Sequence, residues 1–299
     1  MSPLRSLLAA AMGLGGVLLV PAAMACGPES DCVLEDRTYR LSVPADHDPA
    51  TPIGALFYAH GYKGSAEGAM RNMALREAAH ARGLALVALK SAGDDWSLAH
   101  APNVGPEPPD NEPAYVDAVI EDVAGRLALD RERLIATGFS AGGMMTWTLA
   151  CERPASFLGF VPIAGTFWAP VPQHCAGEAP DLIHIHGTTD RIVPLEGRRI
   201  ADTKQGAITA AMTLMRRHGR FEPAGLMAVE AFGPEGGCRI DRNALQRELL
   251  FCTHPGGHSF ESRHLGFALD RLLGRRNGLW DRLKRLSPLR QPLGGGVSP

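Results

Sequence analysis

The sequence has almost no excess of charge of either sign. It carries 30 Lys and Arg residues against 32 Asp and Glu residues, and only its C-terminal end is locally basic. A nucleic-acid-binding protein needs a basic surface to neutralise phosphate groups. We therefore expect no nucleic-acid partner.

Metal-binding motifs and repeats are also missing. Neither a C-x-x-C nor an H-E-x-x-H motif occurs, no internal repeat is visible, and no Ser/Thr-rich linker divides the chain. Because such motifs hold zinc or carry out redox chemistry, we expect neither a metal nor another cofactor. With 299 residues, 45% of them hydrophobic, the chain can instead build one large α/β domain, which we place at residues 26–277.

The first 25 residues have the layout of a secretory signal peptide. Arg5 precedes an apolar run over residues 7–20, and residues 23–25 form an A-x-A cleavage pattern directly before Cys26. This layout predicts a secreted or periplasmic protein. A membrane anchor is the alternative reading of the apolar run. A lipid attached at Cys26 is a second alternative, and only then do we expect a stable membrane partner.

All six cysteines follow this segment. An even number of cysteines in an exported chain favours disulfides over metal ligands. Proximity along the sequence suggests the pairs Cys26–Cys32, Cys151–Cys175 and Cys238–Cys252. Six cysteines allow about 15 connectivities, so other pairings stay open at this point.

Apolar runs of strand length alternate with segments of helical spacing along the chain. The predicted strands cover residues 38–43, 53–59, 84–89, 134–137, 157–164, 181–186, 228–232 and 248–252. The predicted helices cover residues 69–82, 115–127, 141–153, most of 198–218, and 259–273. This alternation predicts an α/β fold with a mostly parallel central sheet and helices on both faces.

Two further segments have a composition typical of irregular structure. Residues 91–113 form a long loop rich in Pro, Gly and Asp, and we expect it to wall one side of a functional site. Residues 278–299 are basic and then contain Gly and Pro, which predicts a poorly ordered C-terminal tail.

Residues 138–142 read Gly-Phe-Ser-Ala-Gly and lie between a predicted strand and a predicted helix. This G-x-S-x-G pattern is typical of a nucleophile elbow, because glycines two positions before and after the serine let the backbone turn sharply. The Oγ of Ser140 would then project from the edge of the sheet. The helix that follows would direct its N-terminal N–H groups at an oxyanion formed there. We predict Ser140 as the catalytic nucleophile.

A serine nucleophile needs a base that a carboxylate orients, and in this type of site the chain order is Ser, Asp, His. Asp190 follows the predicted strand over residues 181–186, which places it at the carboxyl end of the sheet, on the same edge as the elbow. We predict Asp190 as the acid, with Asp202 and Asp181 as weaker alternatives.

The base is expected after the last predicted strand. His258 follows two glycines in a Gly- and Pro-rich loop, so its ring can approach the nucleophile. We predict His258 as the base, with His254 as the alternative. His264 falls in the last predicted helix and is expected at the surface. The remaining histidines, including His60 and His184, are expected to have packing or loop roles.

Ester hydrolysis also requires donors for the oxygen that becomes negative in the tetrahedral intermediate. The backbone N–H of Ala141 is one candidate, because it directly follows the nucleophile. The backbone N–H of Tyr62 is the second, because Tyr62 follows the strand end at His60 and Gly61, where the small Gly61 allows a close approach.

Several short motifs occur in an order that resembles the secreted polyhydroxybutyrate depolymerase / feruloyl esterase group of α/β-hydrolases. They are His60-Gly61-Tyr62-Lys63-Gly64-Ser65, Gly138-Phe139-Ser140-Ala141-Gly142-Gly143-Met144, Pro162-Ile163-Ala164-Gly165, His186-Gly187-Thr188-Thr189-Asp190, Val193-Pro194 and Gly256-Gly257-His258. The resemblance spans residues 35–273 and implies the α/β-hydrolase fold, hydrolysis of carboxylic esters and a triad of Ser140, Asp190 and His258. It also implies that Cys151–Cys175 and Cys238–Cys252 brace the site.

The sequence departs from that group at one place. Many members carry Trp-Pro soon after the catalytic histidine, whereas this chain has Ser259-Phe260. This difference argues against polymer or aromatic-ester specificity, so small or oligomeric esters are the expected substrates. A secreted serine peptidase and a catalytically silent binding protein of the same fold are the alternative functions.

Overall fold

The computed structural model describes residues 26–102 and 111–286. The predicted signal peptide, part of the loop over residues 91–113 and the last thirteen residues of the predicted tail lie outside the described residues. The described strands are β1 Cys32–Leu34, β2 Arg37–Ser42, β3 Ile53–Ala59, β4 Leu84–Leu89, β5 Leu129–Phe139, β6 Gly159–Ile163, β7 Asp181–Gly187, β8 Arg199–Ile200, β9 Thr203–Lys204, β10 Glu222–Ala228, β11 Gly237–Arg242 and β12 Glu248–His254. The described helices are α1 Ala66–Arg71, α2 Met73–His80, α3 Glu112–Arg126, α4 Ala141–Glu152, α5 Ile208–Gly219 and α6 Ser262–Leu286.

Ten of these strands form one sheet, in the order β1-β2-β4-β3-β5-β6-β7-β12-β11-β10. Six neighbouring strands in this order are mutually parallel, namely β4, β3, β5, β6, β7 and β12. Antiparallel strands flank them on both sides. The central strands β3, β4 and β7 are buried along their whole length, as expected of strands covered on both faces. The predicted mostly parallel sheet is confirmed.

Helices cover both faces of the sheet. Buried residues of α3, α4 and α5 belong to one hydrophobic cluster, and buried residues of α1, α2 and α6 belong to another on the opposite face. No helix within the two described segments is both long and apolar enough to cross a membrane.

Four predicted elements differ clearly from the described ones. The predicted helix over residues 69–82 is two helices, because the side chain of Asn72 accepts a hydrogen bond from Leu75 N and starts α2. Residues 198–218 were predicted to be mostly helix. They begin with the β8–β9 hairpin, and helix α5 starts only at Ile208. The last helix continues to Leu286, well beyond the predicted end at residue 273.

The fourth difference is the predicted strand over residues 228–232, which is wrong. Ala228 ends β10 and residues 229–232 form a turn, while β11 supplies the partner strand that the sequence reasoning missed. β10 is mostly exposed and contains Pro223 and Gly225, so it has little of the apolar alternation that marks a strand in sequence.

Three disulfides join the cysteine pairs expected from proximity. Cys26 bonds to Cys32, Cys151 to Cys175, and Cys238 to Cys252. The last pair lies directly opposite on β11 and β12. Because the sulfur of Cys26 is part of a disulfide, that bond is incompatible with lipid attachment to the same atom.

The disulfide between Cys151 and Cys175 closes a segment with a sequence separation of 24 residues. A cross-link over a loop of this length restricts the unfolded chain. We expect the double variant Cys151→Ala/Cys175→Ala to lose about 2–4 kcal/mol of unfolding free energy, measured by urea denaturation. The matched control is Cys26→Ala/Cys32→Ala, whose separation is only 6 residues, so its loss should be smaller. A larger loss in the control would contradict the loop-length explanation.

Candidate active site

Ser140 lies at the sharp turn between β5 and α4, with a φ of 60° and a ψ of −119°. A Cβ added to Gly138 would lie 2.2 Å from the carbonyl oxygen of Gly142. A Cβ added to Gly142 would lie 1.9 Å from the carbonyl oxygen of Ala59. Both distances are far below any real contact of a Cβ atom, so the turn requires glycine at these two positions, as the G-x-S-x-G pattern predicts.

Parallel strands bring three separate loops to the same edge of the sheet. Ser140 follows β5, Asp190 follows β7, and His258 follows β12. The Nε2 of His258 lies 2.9 Å from the Oγ of Ser140, and its Nδ1 lies 2.7 Å from the Oδ2 of Asp190. Both are hydrogen-bond distances. The structure therefore brings together the three residues that were singled out in the sequence, although they are separated by up to 118 positions.

The carboxylate of Asp190 is buried and has hydrogen bonds to both oxygens. Its Oδ1 accepts hydrogen bonds from the backbone N–H groups of Ile192 at 2.8 Å and Val193 at 2.9 Å. Its Oδ2 faces His258 and also lies 3.4 Å from the Nε2 of His186. Burial alone would raise the pKa of Asp190, but the hydrogen bonds from the two histidines and from Val193 hold that pKa well below its usual value. The group is therefore a fixed anion at neutral pH.

His186 is a contact of the candidate triad that the sequence reasoning missed. Its Nε2 donates to the carbonyl oxygen of Val193 at 2.7 Å, and its Nδ1 lies 3.0 Å from the Nε2 of His184. Burial lowers the pKa of His184 far below that of a free histidine, so the Nε2 of neutral His184 can donate to His186. The sequence carries no distinct signal for this contact, because His186 lies in the buried strand β7 and its spacing from Asp190 does not show that the two side chains will meet.

Aromatic rings support His258 from the side. The ring of Phe139 lies 4.7 Å from the ring of His258, centroid to centroid. Phe260 packs edge-on against both Phe139 and Tyr58, at 6.3 Å and 6.0 Å. Phe260 lies where many members of the resembling esterase group carry Trp-Pro. In this protein it is therefore part of the packing behind the candidate base His258.

Comparisons with known proteins show the family of this chain. A family model described as Phospholipase/Carboxylesterase matches residues 111–219. A protein of Nocardia uniformis subsp. tsuyamanensis named "Putative esterase NocK" is 33% identical over 248 residues, which cover 80% of this chain and 68% of the relative. The chain belongs to the α/β-hydrolase esterases. It is an ester-hydrolysing enzyme, as the sequence resemblance implied.

Feruloyl esterase C of Emericella nidulans is 27% identical to this esterase over 243 residues, which cover 79% of the esterase and 81% of the relative. An acetyl xylan esterase from Aspergillus awamori has the same fold, with a TM-score of 0.54, 14% identity and coverage of 78% of this esterase and 91% of that chain. The S-formylglutathione hydrolase of Staphylococcus aureus gives a TM-score of 0.53 at 14% identity, with coverage of 81% and 96%. These neighbours confirm the predicted fold class, whereas polyhydroxybutyrate specificity stays a prediction.

The alternative acids lie away from Ser140 in this esterase. Asp202 is exposed in the turn between β8 and β9. Asp181 begins β7, at the opposite edge of the sheet, where it accepts hydrogen bonds from Arg247 at 3.0 Å and from Glu248 N at 2.6 Å. Neither can orient His258.

The alternative histidines are placed elsewhere as well. His254 is the last residue of β12, and its Nδ1 accepts a hydrogen bond from Gly256 N at 3.2 Å. The expectation that His264 lies at the surface is wrong. His264 is only 1% exposed and packs against His254 and Phe232, because α6 turns this face toward β12 and the turn after β10.

The loop after β3 lies directly against the elbow of this esterase. A Cβ added to Gly61 would be 3.3 Å from the carbonyl oxygen of Phe139 and 3.5 Å from the Cβ of Ser140. The ring of His60 braces this loop, because its Nδ1 donates to Gly61 O at 2.8 Å and its Nε2 accepts from Ser91 N at 3.2 Å. Burial lowers the pKa of His60 to about 4, so this neutral, bridging form persists at neutral pH. The packing role expected of His60 is confirmed.

The two predicted oxyanion donors belong to the two segments next to the candidate nucleophile. Ala141 N is at the start of α4, and Tyr62 follows Gly61 in the loop after β3. Among the described residues, neither of these N–H groups has a hydrogen-bond acceptor. Tyr62 is 61% exposed.

Part of the long loop lines a cavity beside the C-terminal half of α4, and no residue of the candidate triad borders it. Residues 98–100 border a cavity of about 380 Å³ together with Phe167 and Trp168, which follow β6. Trp96 lies deeper, where its Nε1 donates to His60 O at 2.8 Å. The described part of this loop therefore supports the segment next to the elbow through Trp96, and the prediction that the loop walls the functional site stays a prediction.

Proposed function

We propose that this esterase cleaves carboxylic esters through an acyl-enzyme formed on Ser140. The observation that carries the proposal is the continuous chain of short contacts from Ser140 Oγ through His258 to Asp190 Oδ2, at 2.9 and 2.7 Å. His258 Nε2 takes the proton of Ser140 as Oγ attacks the ester carbonyl, and later returns it to the leaving alcohol. A water molecule activated by His258 then releases the acid. Asp190 keeps the proton of the imidazole on Nδ1 and stabilises the imidazolium.

The oxyanion of the tetrahedral intermediate would accept hydrogen bonds from the backbone N–H groups of Ala141 and Tyr62. Both belong to segments that pack against Ser140, and both have no acceptor in the described part of the protein. Donors that are already held in place stabilise the developing charge without reorganisation. The positive end of the α4 dipole acts in the same direction.

We assign small or oligomeric esters as the substrate, with feruloyl and acetyl esters and hydroxybutyrate oligomers as the classes to test first. The support is the similarity to a protein named Feruloyl esterase C. Nucleic acid, a membrane and a cofactor have no part in this proposal.

We also propose that the enzyme is exported and works outside the cytoplasm. Three disulfides in the described residues fit an oxidising compartment, where such bonds persist. The layout of the first 25 residues supports a cleaved signal peptide. Mass measurement of the exported protein tests this directly, because the proposal requires a chain that begins at Cys26 with three disulfides and no lipid.

The substrate proposal is tested with a panel of esters and a matched set of peptides. We expect hydrolysis of short p-nitrophenyl, feruloyl or acetyl esters at rates far above those of the corresponding peptides, together with covalent labelling by a fluorophosphonate. Peptide cleavage at equal or higher kcat/KM would instead indicate a serine peptidase. Absence of both labelling and turnover would indicate a binding protein.

A further inference from the structure

Outside the catalytic chain, three side chains of the kind that bind transition metals meet at the base of the loop that carries His258. His254 ends β12, Glu261 immediately precedes α6, and His264 lies in the first turn of α6. Each offers one ligand atom, and these atoms all lie within 4.8 Å of one another. We call this group the base cluster.

The environment of His264 points to a ligand. The residue is 1% exposed, and neither ring nitrogen has a hydrogen-bond partner among the described residues. The carboxylate of Glu261 and the backbone of Ala231 face the ring, with Glu261 Oε2 at 3.8 Å from Nε2, but neither contact is a hydrogen bond of normal geometry. A buried imidazole without partners is costly, and a metal ion would satisfy it.

The base cluster is not fully enclosed by the protein. The side chain of Glu261 is 35% exposed, so the base cluster is open to solvent on one side and an ion can enter there.

Two contacts must adjust for an ion to bind. Gly256 N donates to His254 Nδ1 at 3.2 Å, a long hydrogen bond that competes for the ring. Arg263 contacts Glu261 through Oε2 only, at 2.6 and 2.7 Å, and leaves Oε1 without a partner in the described segments. Arg263 is largely exposed, so this ion pair is weak, and metal–imidazole bonds are much stronger than one long hydrogen bond.

We propose that His254, Glu261 and His264 form a binding site for a divalent transition metal, with Zn²⁺ as the preferred ion. Two imidazoles and one carboxylate are a common zinc ligand set, and water completes a tetrahedral shell. The ion would join the end of β12 to the start of α6 and so close the loop over residues 255–260, which carries His258. Its role would be structural, because the base cluster is separate from the contact between Ser140 and His258.

The test is Zn²⁺ binding to metal-free protein, measured by calorimetry and by metal content after dialysis. We expect one Zn²⁺ per chain at micromolar or lower dissociation constant, and a rise in Tm when Zn²⁺ is added. In His264→Leu, which fills a similar buried volume without nitrogen atoms, affinity should fall by at least about tenfold and the Tm shift should vanish. Glu261→Gln should also weaken Zn²⁺ binding. Because Glu261 is partly exposed, this variant should fold even if His264→Leu does not, so the proposal can still be tested.

The matched control is His174→Gln, which removes an exposed histidine outside the base cluster. Its Zn²⁺ affinity and Tm shift should equal those of the unmodified protein. The proposal is overturned if the unmodified protein binds no stoichiometric Zn²⁺. It is also overturned if His264→Leu and Glu261→Gln fold and bind Zn²⁺ as tightly as the control does.

Discussion

Replacing Ser140 with alanine is expected to lower the kcat for a short p-nitrophenyl ester by about 10⁵-fold or more. In the proposed mechanism, the substitution removes the atom that forms the acyl-enzyme, while the proposed donors at Ala141 and Tyr62 remain. The residual rate should therefore resemble that of a site that binds and polarises the ester without a nucleophile. The measurement is turnover at saturating substrate on purified protein, with fluorophosphonate labelling as an independent readout.

Ser140→Ala should leave the fold intact, because the side chain of Ser140 does not cap α4 and only its hydroxyl is lost. Circular dichroism and urea denaturation check this point. Ser156→Ala is the matched control, since Ser156 is a half-buried serine in the turn after α4, away from the loops that carry the triad. The nucleophile assignment fails if Ser140→Ala keeps more than about 1% of the activity of this control, or if a fluorophosphonate still labels it.

Much of this site could be predicted because its chemistry imposes local sequence rules. The turn at Ser140 allows no side chain at Gly138 or Gly142, so the glycines mark it in any sequence. Asp190 and His258 follow apolar strands, and the carboxyl ends of parallel strands meet at one edge of a sheet. Order along the chain was therefore enough to predict that three distant residues would meet.

The features that were missed depend on tertiary packing rather than on local pattern. His186 touches Asp190 only because β7 and the turn after it fold back on each other, and a histidine in a buried strand has no distinct signature. His264 carries a polar side chain in a helix whose inner face was not known in advance. β11 was missed because the hairpin with β10 lies at the edge of the sheet, where one strand is largely exposed.

Replacing Asp190 with asparagine is expected to lower kcat by about 10⁴-fold without a comparable change in KM. The two backbone N–H groups of Ile192 and Val193 hold Oδ1, so the amide oxygen of the new side chain should remain there and the NH₂ group should face His258. A donor opposite Nδ1 forces the imidazole proton onto Nε2. In that tautomer His258 cannot accept the proton of Ser140.

The readouts must separate this tautomer effect from a loss of structure. Asp202→Asn is the matched control, because Asp202 is exposed and the same chemical change there should leave kcat unchanged. Nitrogen NMR of the histidine rings should show the proton of His258 move from Nδ1 to Nε2 in Asp190→Asn while the urea transition remains cooperative. If kcat falls by only about tenfold, then the carboxylate is not what orients the base, and the packing of Phe139 against the ring of His258 would have to supply that orientation instead.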